Sequence, residues 1–158
     1  MRPLAVLLLL ALAGCGYSVG QVSSGRGQTL AVPMFENTTL RRDLERDLTR
    51  FVREEIAART SYALVDSGAD LTLSGRLTDV EEDVLSDRSK GRIRESSVAF
   101  TVVIDLRDEA TGKAVLDSER IVERAAFVPV KGESIRTAEI LVMRRIAERV
   151  VYSLSGRW

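Results

Sequence analysis

The chain lacks histidine altogether and contains a single cysteine, three prolines and few aromatic residues. The absence of histidine removes the most frequent general base and the most frequent zinc ligand. One cysteine cannot form an internal disulfide bond. An excess of one charge is also missing, because 23 Lys and Arg residues balance 23 Asp and Glu residues among 158 residues. That balance argues against a general nucleic-acid binder. Hydrophobic residues make up 45% of the chain, which favours one folded domain over disorder.

The first fifteen residues have the pattern of a lipoprotein signal. Arg2 precedes the apolar run Leu4–Ala13, which is shorter than the roughly 20 residues that span a membrane. A positive start, a short apolar run and small residues after it are typical of a secretory signal. The end of the run, Leu12–Cys15, resembles the lipobox of bacterial lipoproteins, whose cysteine receives diacylglycerol and an N-acyl chain. We therefore expect residues 1–14 to be removed and Cys15 to be lipidated.

The residues around the cysteine predict where the domain is held. Two or more acyl chains anchor a protein stably at a membrane. Gly16 follows the cysteine, in place of the Asp that retains lipoproteins at the inner membrane of Gram-negative bacteria. We expect an anchor on the periplasmic face of the outer membrane. Residues 15–28, which are rich in Gly and Ser, indicate a flexible tether, and residues 29–158 indicate a single domain.

Two segments have the periodicity of amphipathic helices. Asn37–Thr39 supplies capping side chains before the first of them. Its apolar stripe recurs at helical spacing and consists of Leu40, Leu44, Leu48, Phe51, Val52 and Ile56. The second segment is Ser134–Leu154, with a stripe of Ile135, Ala138, Val142, Ile146, Val150 and Leu154. Each stripe needs an apolar partner.

Alternating apolar and polar residues predict the strands. Thr29–Phe35 is apolar and rich in β-forming residues, and its Pro33 favours an edge position or a bulge because proline cannot donate to the ladder. Alternation over Leu71–Leu77 and over Val98–Leu106 predicts two half-buried strands. Val115–Val128 alternates more weakly and predicts a fourth strand.

The order β-α-β-β-β-α predicts the fold class. The first crossover allows parallel pairing, and the short turns make the later strands an antiparallel meander. We expect an α+β fold, namely a two-layer sandwich with both amphipathic helices packed on one face of a four-stranded mixed sheet. The other face of the sheet is then free to be solvated or to bind a partner.

A basic group lies in the polar segment 86–94, which we expect to be a loop. We call it the basic group, and it consists of Arg88, Lys90, Arg92 and Arg94. Spaced cations on a loop suit phosphates or an acidic partner surface, because the arginine fork binds two oxygens at once. The alternative is a solvated loop with no ligand. The residues alone do not decide between a binding loop and a solvated loop.

An acidic cluster precedes that loop and consists of Asp79, Glu81, Glu82 and Asp83. Successive strand residues point to opposite faces, so these carboxylates do not converge automatically. A solvated strand end is the more ordinary interpretation than paired catalytic carboxylates. No spacing matches a metal, P-loop or dinucleotide motif. We therefore expect no enzymatic activity, and no metal or cofactor other than the lipid on Cys15.

Several segments together resemble one known family. They are Cys15–Tyr17, Ala31–Thr39, Ala69–Leu77, Val98–Leu106 and Thr111–Leu116. In the same order, they resemble the LptE-type lipopolysaccharide-assembly lipoproteins. The resemblance covers most of the chain after the signal and implies two helices on a four-stranded sheet.

The resemblance also implies a function. The protein would be the partner and plug of a large LptD-type β-barrel, and the pair would place lipopolysaccharide in the outer leaflet of the outer membrane. Basic residues of the family contact lipopolysaccharide, but our choice of the basic group rests on charge and loop position. The alternative is an LpoB/CsgG-like lipoprotein that activates a cell-wall synthase or forms part of a secretion pore.

Overall fold

A computed structural model of the chain describes residues 27–87, 94–129 and 134–155. Within these residues the chain forms six strands and two helices. In chain order they are β1 (Thr29–Ala31), β2 (Glu36–Asn37), α1 (Leu44–Arg59), β3 (Ala63–Leu64), β4 (Leu71–Asp87), β5 (Arg94–Asp108), β6 (Ala114–Phe127) and α2 (Ile135–Ser155). Neither helix is both long and apolar enough to cross a membrane.

All six strands belong to one mixed sheet. Its order is β3-β1-β4-β5-β6, and β2 pairs with β4 further along the edge that β1 occupies. The short strands run parallel to their neighbours, whereas β4, β5 and β6 form an antiparallel meander. The α+β class with two helices and a mixed sheet is confirmed. The prediction of four strands is wrong, because two of the six strands have only two residues, too few to show a period.

The core lies between the two helices and one face of the sheet, as alternation predicted. The helices contribute Leu44, Leu48, Val52, Ile56, Val142, Met143, Ile146 and Val150. The long strands contribute Leu71, Leu73, Leu77, Val98, Phe100, Val102, Ile104 and Leu106. None of these side chains is more than 3% exposed, and each contributes about 1.5–3 kcal/mol by its burial.

The edge of the sheet is interrupted where proline was predicted to disturb it. Residues 32–35 separate β1 from β2, so the predicted strand Thr29–Phe35 is shorter than expected. Pro33 lacks the N–H that a continuous ladder would use. Phe35 turns into the core and is only 2% exposed. Its backbone N–H donates to Thr49 Oγ1 of α1 over 2.9 Å, which replaces the lost strand partner.

Two predicted boundaries are wrong. The first helix begins at Leu44, so Leu40 lies outside it and is fully exposed. The predicted loop 86–94 is shorter than expected, because β4 continues to Asp87 and β5 begins at Arg94. Polar residues can continue a hairpin when neither face of the strand needs to be buried there. The second helix, Ile135–Ser155, agrees with its prediction to within one residue at each end.

A bulge at Thr78 changes which residues of β4 face the helices. Leu77 pairs with Val102 and Asp79 pairs with Thr101, so Thr78 has no partner opposite it. Its hydroxyl donates to the carbonyl oxygen of Thr101 over 3.2 Å. An extra residue of this kind shifts the alternation by one position. Odd-numbered residues face the helices before the bulge, and even-numbered residues face them from there to Val84, where a second register shift follows.

The sandwich has two distinct ends. Leu30 of β1 pairs with Leu71 at the start of β4, which lies opposite Asp108 at the end of β5. We call this end the entry pole, because the chain enters the domain there. The other end, the distal pole, carries the β4–β5 connection. Both helices begin there, because Arg41 just before α1 contacts Glu139 near the start of α2. The positive ends of both helix dipoles therefore point to the distal pole.

Candidate functional site

The face of β4, β5 and β6 that points away from the helices is uncovered in the described part of the chain. We call it the open face. Strand register and alternation place its main side chains, which are Ser74, Arg76, Asp79, Glu81 and Asp83 on β4, Ser97, Ala99, Thr101 and Val103 on β5, and Arg120, Val122 and Arg124 on β6. This is the second face that the sequence predicted to be free.

Each strand of the open face carries a different class of residue near the distal pole. β4 contributes carboxylates, β5 small side chains and β6 arginines. Arg124 reaches across β5, with Nη1 3.0 Å from both Asp83 Oδ2 and Ser97 Oγ, and with Nη2 3.8 Å from Glu81. Ser97 is fully buried beneath it. The open face is therefore a polar surface of mixed charge with a low, small-residue centre.

The structure divides the acidic cluster between two faces. Asp79, Glu81 and Asp83 lie on the open face, while Glu82 points to the helix side and binds Arg41. Glu81 and Asp83 converge on Arg124 and not on each other. Within the described segments, no group of three or more acidic, histidine or cysteine side chains is arranged to hold a metal ion.

A charge network ties the elements together at the distal pole. We call it the clasp, and it consists of Arg41, Asp47, Glu82, Arg136 and Glu139. Arg41 donates to Glu139 Oε1 over 2.6 Å and to Glu82 Oε2 over 2.8 Å. Arg136 contacts Glu139 Oε2 at 3.5 Å and also binds Asp47. Glu139 is only 6% exposed, so its two arginines supply the compensation that a buried carboxylate requires.

The electrostatics of the clasp favour charged carboxylates. Hydrogen bonds from Arg136 and then from Arg50 lower the pKa of Asp47. A hydrogen bond from the Asn37 side chain lowers the pKa of Glu45, two residues earlier in α1. Both carboxylates lie in the first turn of α1, where the helix dipole also stabilises negative charge.

The loop between β2 and α1 is held by its own hydrogen bonds. Asn37 Oδ1 accepts from the backbone N–H of Thr39 at 3.0 Å, and Asn37 Nδ2 donates to the carbonyl of Arg41 at 2.6 Å. The Thr38 N–H donates to the Leu77 carbonyl of β4 over 3.0 Å. The segment Asn37–Thr39, predicted to cap the helix, is thus a turn that fixes the loop. The N-cap residue of α1 is Asp43, and its side chain makes no capping hydrogen bond.

A cavity of about 590 Å³ opens near the end of β1. Val32, Pro33 and Val65 give it an apolar wall, and the ion pair of Arg53 with Asp66, at 2.7 Å, stands beside them. Ser67, Thr72 and Glu109 also line the cavity.

The predicted site residues fall mostly outside the described segments. Cys15 and three members of the basic group, Arg88, Lys90 and Arg92, lie outside them. Arg94 is described only as the first residue of β5, where its backbone pairs with Asp87. That pairing places the basic group's connection at the distal pole. Lipidation and ligand contacts of these residues remain predictions.

Sequence reasoning missed the clasp and the role of Arg124. The signal that could have found the clasp is Glu139, a carboxylate next to the apolar stripe of α2. Arg145 and Arg149 of α2 also reach β6, where they donate to the Arg124 carbonyl at 2.7 Å and to Glu123 at 3.1 Å. Pairs such as Arg124 with Asp83 depend on strand register, which no single segment reveals.

Solved structures share this fold. An uncharacterised lipoprotein B from Nitrosomonas europaea has a TM-score of 0.60 at 15% identity, over 89% of this chain and 91% of that one. The rare lipoprotein B from Shewanella oneidensis has a TM-score of 0.55 at 18% identity, over 80% and 94%. A minor lipoprotein from Acinetobacter baumannii has a TM-score of 0.51 at 14% identity, over 82% and 91%. At these identities the likeness concerns the fold alone.

No curated protein matches the chain by sequence. The LptE model, described as lipopolysaccharide-assembly, matches residues 27–154. That match runs from the entry of the chain into β1 to the last turn of α2, and so covers the whole sandwich. The resemblance seen in the strand motifs is therefore confirmed, and the chain belongs to the LptE lipopolysaccharide-assembly family.

Proposed function

We propose that this protein is a non-enzymatic outer-membrane lipoprotein that plugs an LptD-type β-barrel. Together with that barrel it would deliver lipopolysaccharide to the outer leaflet. The observation that carries the proposal is the family match over residues 27–154, which includes every element of the fold. It also favours this function over the LpoB/CsgG-like alternative, a cell-wall synthase activator or secretion-pore component.

The open face supports the proposal by its chemistry. The lumen of an outer-membrane barrel is polar, so a domain that fills it needs polar surfaces of both charges. The open face offers carboxylates on β4 and arginines on β6, and Val122 is its one large hydrophobic side chain more than half exposed among the described residues. The polar groups of such a surface keep hydrogen-bonding partners when they lie against a hydrated wall, so the contact costs little free energy.

The membrane anchor in this proposal is the lipid on Cys15. Diacylglycerol and an N-acyl chain would hold the protein at the periplasmic face of the outer membrane, because two or more chains anchor stably. The tether 15–28 would let the domain reach the barrel. At up to about 3.5 Å per residue, its fourteen residues span at most about 50 Å.

The basic group would meet the phosphates of lipopolysaccharide. Its connection lies at the distal pole, to which the two helix dipoles also present their positive ends. Cations and dipoles of the same sign would then act together on an anionic lipid headgroup. The protein would contribute binding and positioning, with no bond made or broken.

Affinity purification tests the proposal. The full-length tagged chain is expressed in its own host and recovered from detergent-solubilised outer membranes. Recovery of a large barrel of the LptD type supports the proposal, and its absence contradicts it. Depletion separates the alternative: loss of surface lipopolysaccharide with normal peptidoglycan synthesis supports the plug, and the reverse favours a synthase activator.

A further inference from the structure

We propose that Leu40 is a preformed anchor by which the distal pole docks into an apolar pocket on the barrel partner. The inference rests on the proposed function and adds which end of the domain makes the contact. Leu40 continues the apolar stripe of the first helix, yet the structure leaves it outside the helix and 102% exposed.

The loop that carries Leu40 is constrained on both sides. Before it, Asn37 accepts from the N–H and the hydroxyl of Thr39, at 3.0 and 2.8 Å. After it, the guanidinium of Arg41 is held by Glu139 at 2.6 Å and by Glu82 at 2.8 Å. The backbone at Leu40 is therefore held in place, and its exposed side chain projects from a fixed point on the surface.

The backbone after Leu40 also adopts an unfavourable conformation. Asp43 has a φ of 67° at the N-cap position of α1 and makes no side-chain capping bond. A residue other than glycine enters this left-handed region only where its surroundings require it, and such strain gathers at binding sites. The clasp thus holds the loop in a shape that helix formation alone does not explain.

A preformed apolar anchor suits a protein pocket. Interfaces are dominated by a few large side chains that enter pockets, and a fixed anchor loses little conformational freedom on binding. Val84 lies two residues after Glu82 on the same side of β4 and is 66% exposed, so it extends the apolar surface at this pole.

Charge and position argue for a protein partner over a lipid bilayer. Arg42 and Asp43 are exposed and of opposite sign, and Glu82 is 46% exposed in its side chain. A bilayer surface would favour cations without carboxylates. The distal pole also points away from the entry pole, where the chain arrives from the predicted lipid anchor. This pole is therefore placed to meet a protein that rises beyond the anchoring leaflet.

Paired substitutions test the anchor in the full-length tagged protein. Leu40→Ser is compared with Tyr152→Ser, which alters a side chain that is 71% exposed near the entry pole. We expect Leu40→Ser to reduce the recovered barrel about tenfold or more, as the loss of an interface anchor does. Tyr152→Ser should recover the barrel as the wild type does. Both variants should keep the wild-type Tm, because neither side chain is buried.

A photo-crosslinking amino acid at position 40 identifies the occupant directly. An adduct with the barrel supports the inference. An adduct with a second copy of this chain, an adduct with lipid, or no adduct overturns it. If the wild type recovers the barrel and Leu40→Ser recovers equally much, this inference alone fails. If the wild type recovers no barrel, the proposed function fails first.

A third variant tests whether the clasp holds the anchor in place. Glu139 is too buried to touch a partner, so Glu139→Gln can act only through Arg41 and Arg136. We expect less barrel recovery although Leu40 is intact, and a weaker crosslink from position 40. Normal recovery at a temperature where the variant is fully folded would overturn the role of the clasp in presenting Leu40.

Discussion

The ring of Phe35 lies directly against Gly75 of β4, on the side of the sheet that faces the helices. A Cβ atom added at Gly75 would fall among the ring carbons of Phe35, closer than unbonded carbon atoms approach. The contact fills the gap that residues 32–35 leave between β1 and β2. Glycine at this position is thus required by close packing and not by backbone conformation.

Gly75→Ala is therefore expected to lower the free energy of unfolding. Phe35 is 2% exposed and has little room to move, and overpacking of a core costs about 1–3 kcal/mol. Chemical denaturation would measure the loss. Ser74→Ala, a change at the exposed neighbouring position, should alter stability little. The double variant with Phe35→Leu should lose less than the sum of the single changes, and strict additivity would contradict the proposed contact.

Asp47 should make stability sensitive to acid. Hydrogen bonds from Arg136 and Arg50 hold its pKa in the folded state below the unfolded value, which is about 3.9. The stabilisation is fully present above about pH 4 and is lost as the pH falls through the lowered pKa. The Tm difference between wild type and Asp47→Asn should therefore shrink below about pH 4. A difference that stays constant down to about pH 2 would contradict this.

Arg124 should matter little to stability. Its contacts with Asp83 and Glu81 involve side chains that are 44–59% exposed, and exposed ion pairs contribute about 0–1 kcal/mol. A double-mutant cycle of Arg124→Gln with Asp83→Asn should give a coupling free energy within that range. A coupling free energy above about 2 kcal/mol would mean that the Arg124 side chain, which reaches across β5, holds the sheet together.

Cys15→Ala should leave the domain folded and unanchored. The cysteine precedes the first described residue by twelve positions, and the contacts that hold the described sandwich together are made among residues 29–155. The variant should move from the membrane fraction to the soluble fraction with an unchanged Tm. Recovery of a lipid-modified variant in the membrane fraction would refute the lipobox prediction.

Removal of the basic group should weaken binding to lipopolysaccharide and reduce its dependence on salt. Replacing all four residues with Gln removes cations that would release counterions from phosphates. The matched control removes four exposed cations away from the distal pole, namely Arg59, Arg107, Lys113 and Arg149. Binding to lipopolysaccharide is measured at low and at high salt for both variants. Equal losses in the two variants would mean that only net charge matters.

The sequence predicted the features that depend on a regular period. The bounds of α2 and the buried faces of Leu71–Leu77 and Val98–Leu106 followed from spacing alone, because one side of each element is apolar throughout. The two-residue strands did not, because pairing of Ala63–Leu64 with β1 depends on distant backbone. Leu40 was misplaced because its spacing fits the helix while the Asn37 turn prevents the helix from starting there.

The site was less predictable than the fold for the same reason. Arg41, Glu82 and Glu139 come from three parts of the chain, and only packing of α2 against the sheet brings them together. The face of the sheet to which Asp79 and Glu81 point depends on the bulge at Thr78. Nothing in the composition of the sequence marks that bulge. Family resemblance supplied what periodicity could not, because it compares the order of all the segments at once.

The bulge at Thr78 gives β4 one residue that the pairing with β5 does not need. Because nothing pairs opposite Thr78, its deletion would leave Leu77 and Asp79 opposite their present partners and on their present faces. Deletion of Ser74 would instead turn part of the strand over and expose apolar side chains. Loss of a residue normally disrupts a central strand, but β4 can tolerate it at Thr78. A second register shift lies between Val84 and Ser86, so natural length variation in this strand should gather at these two bulges.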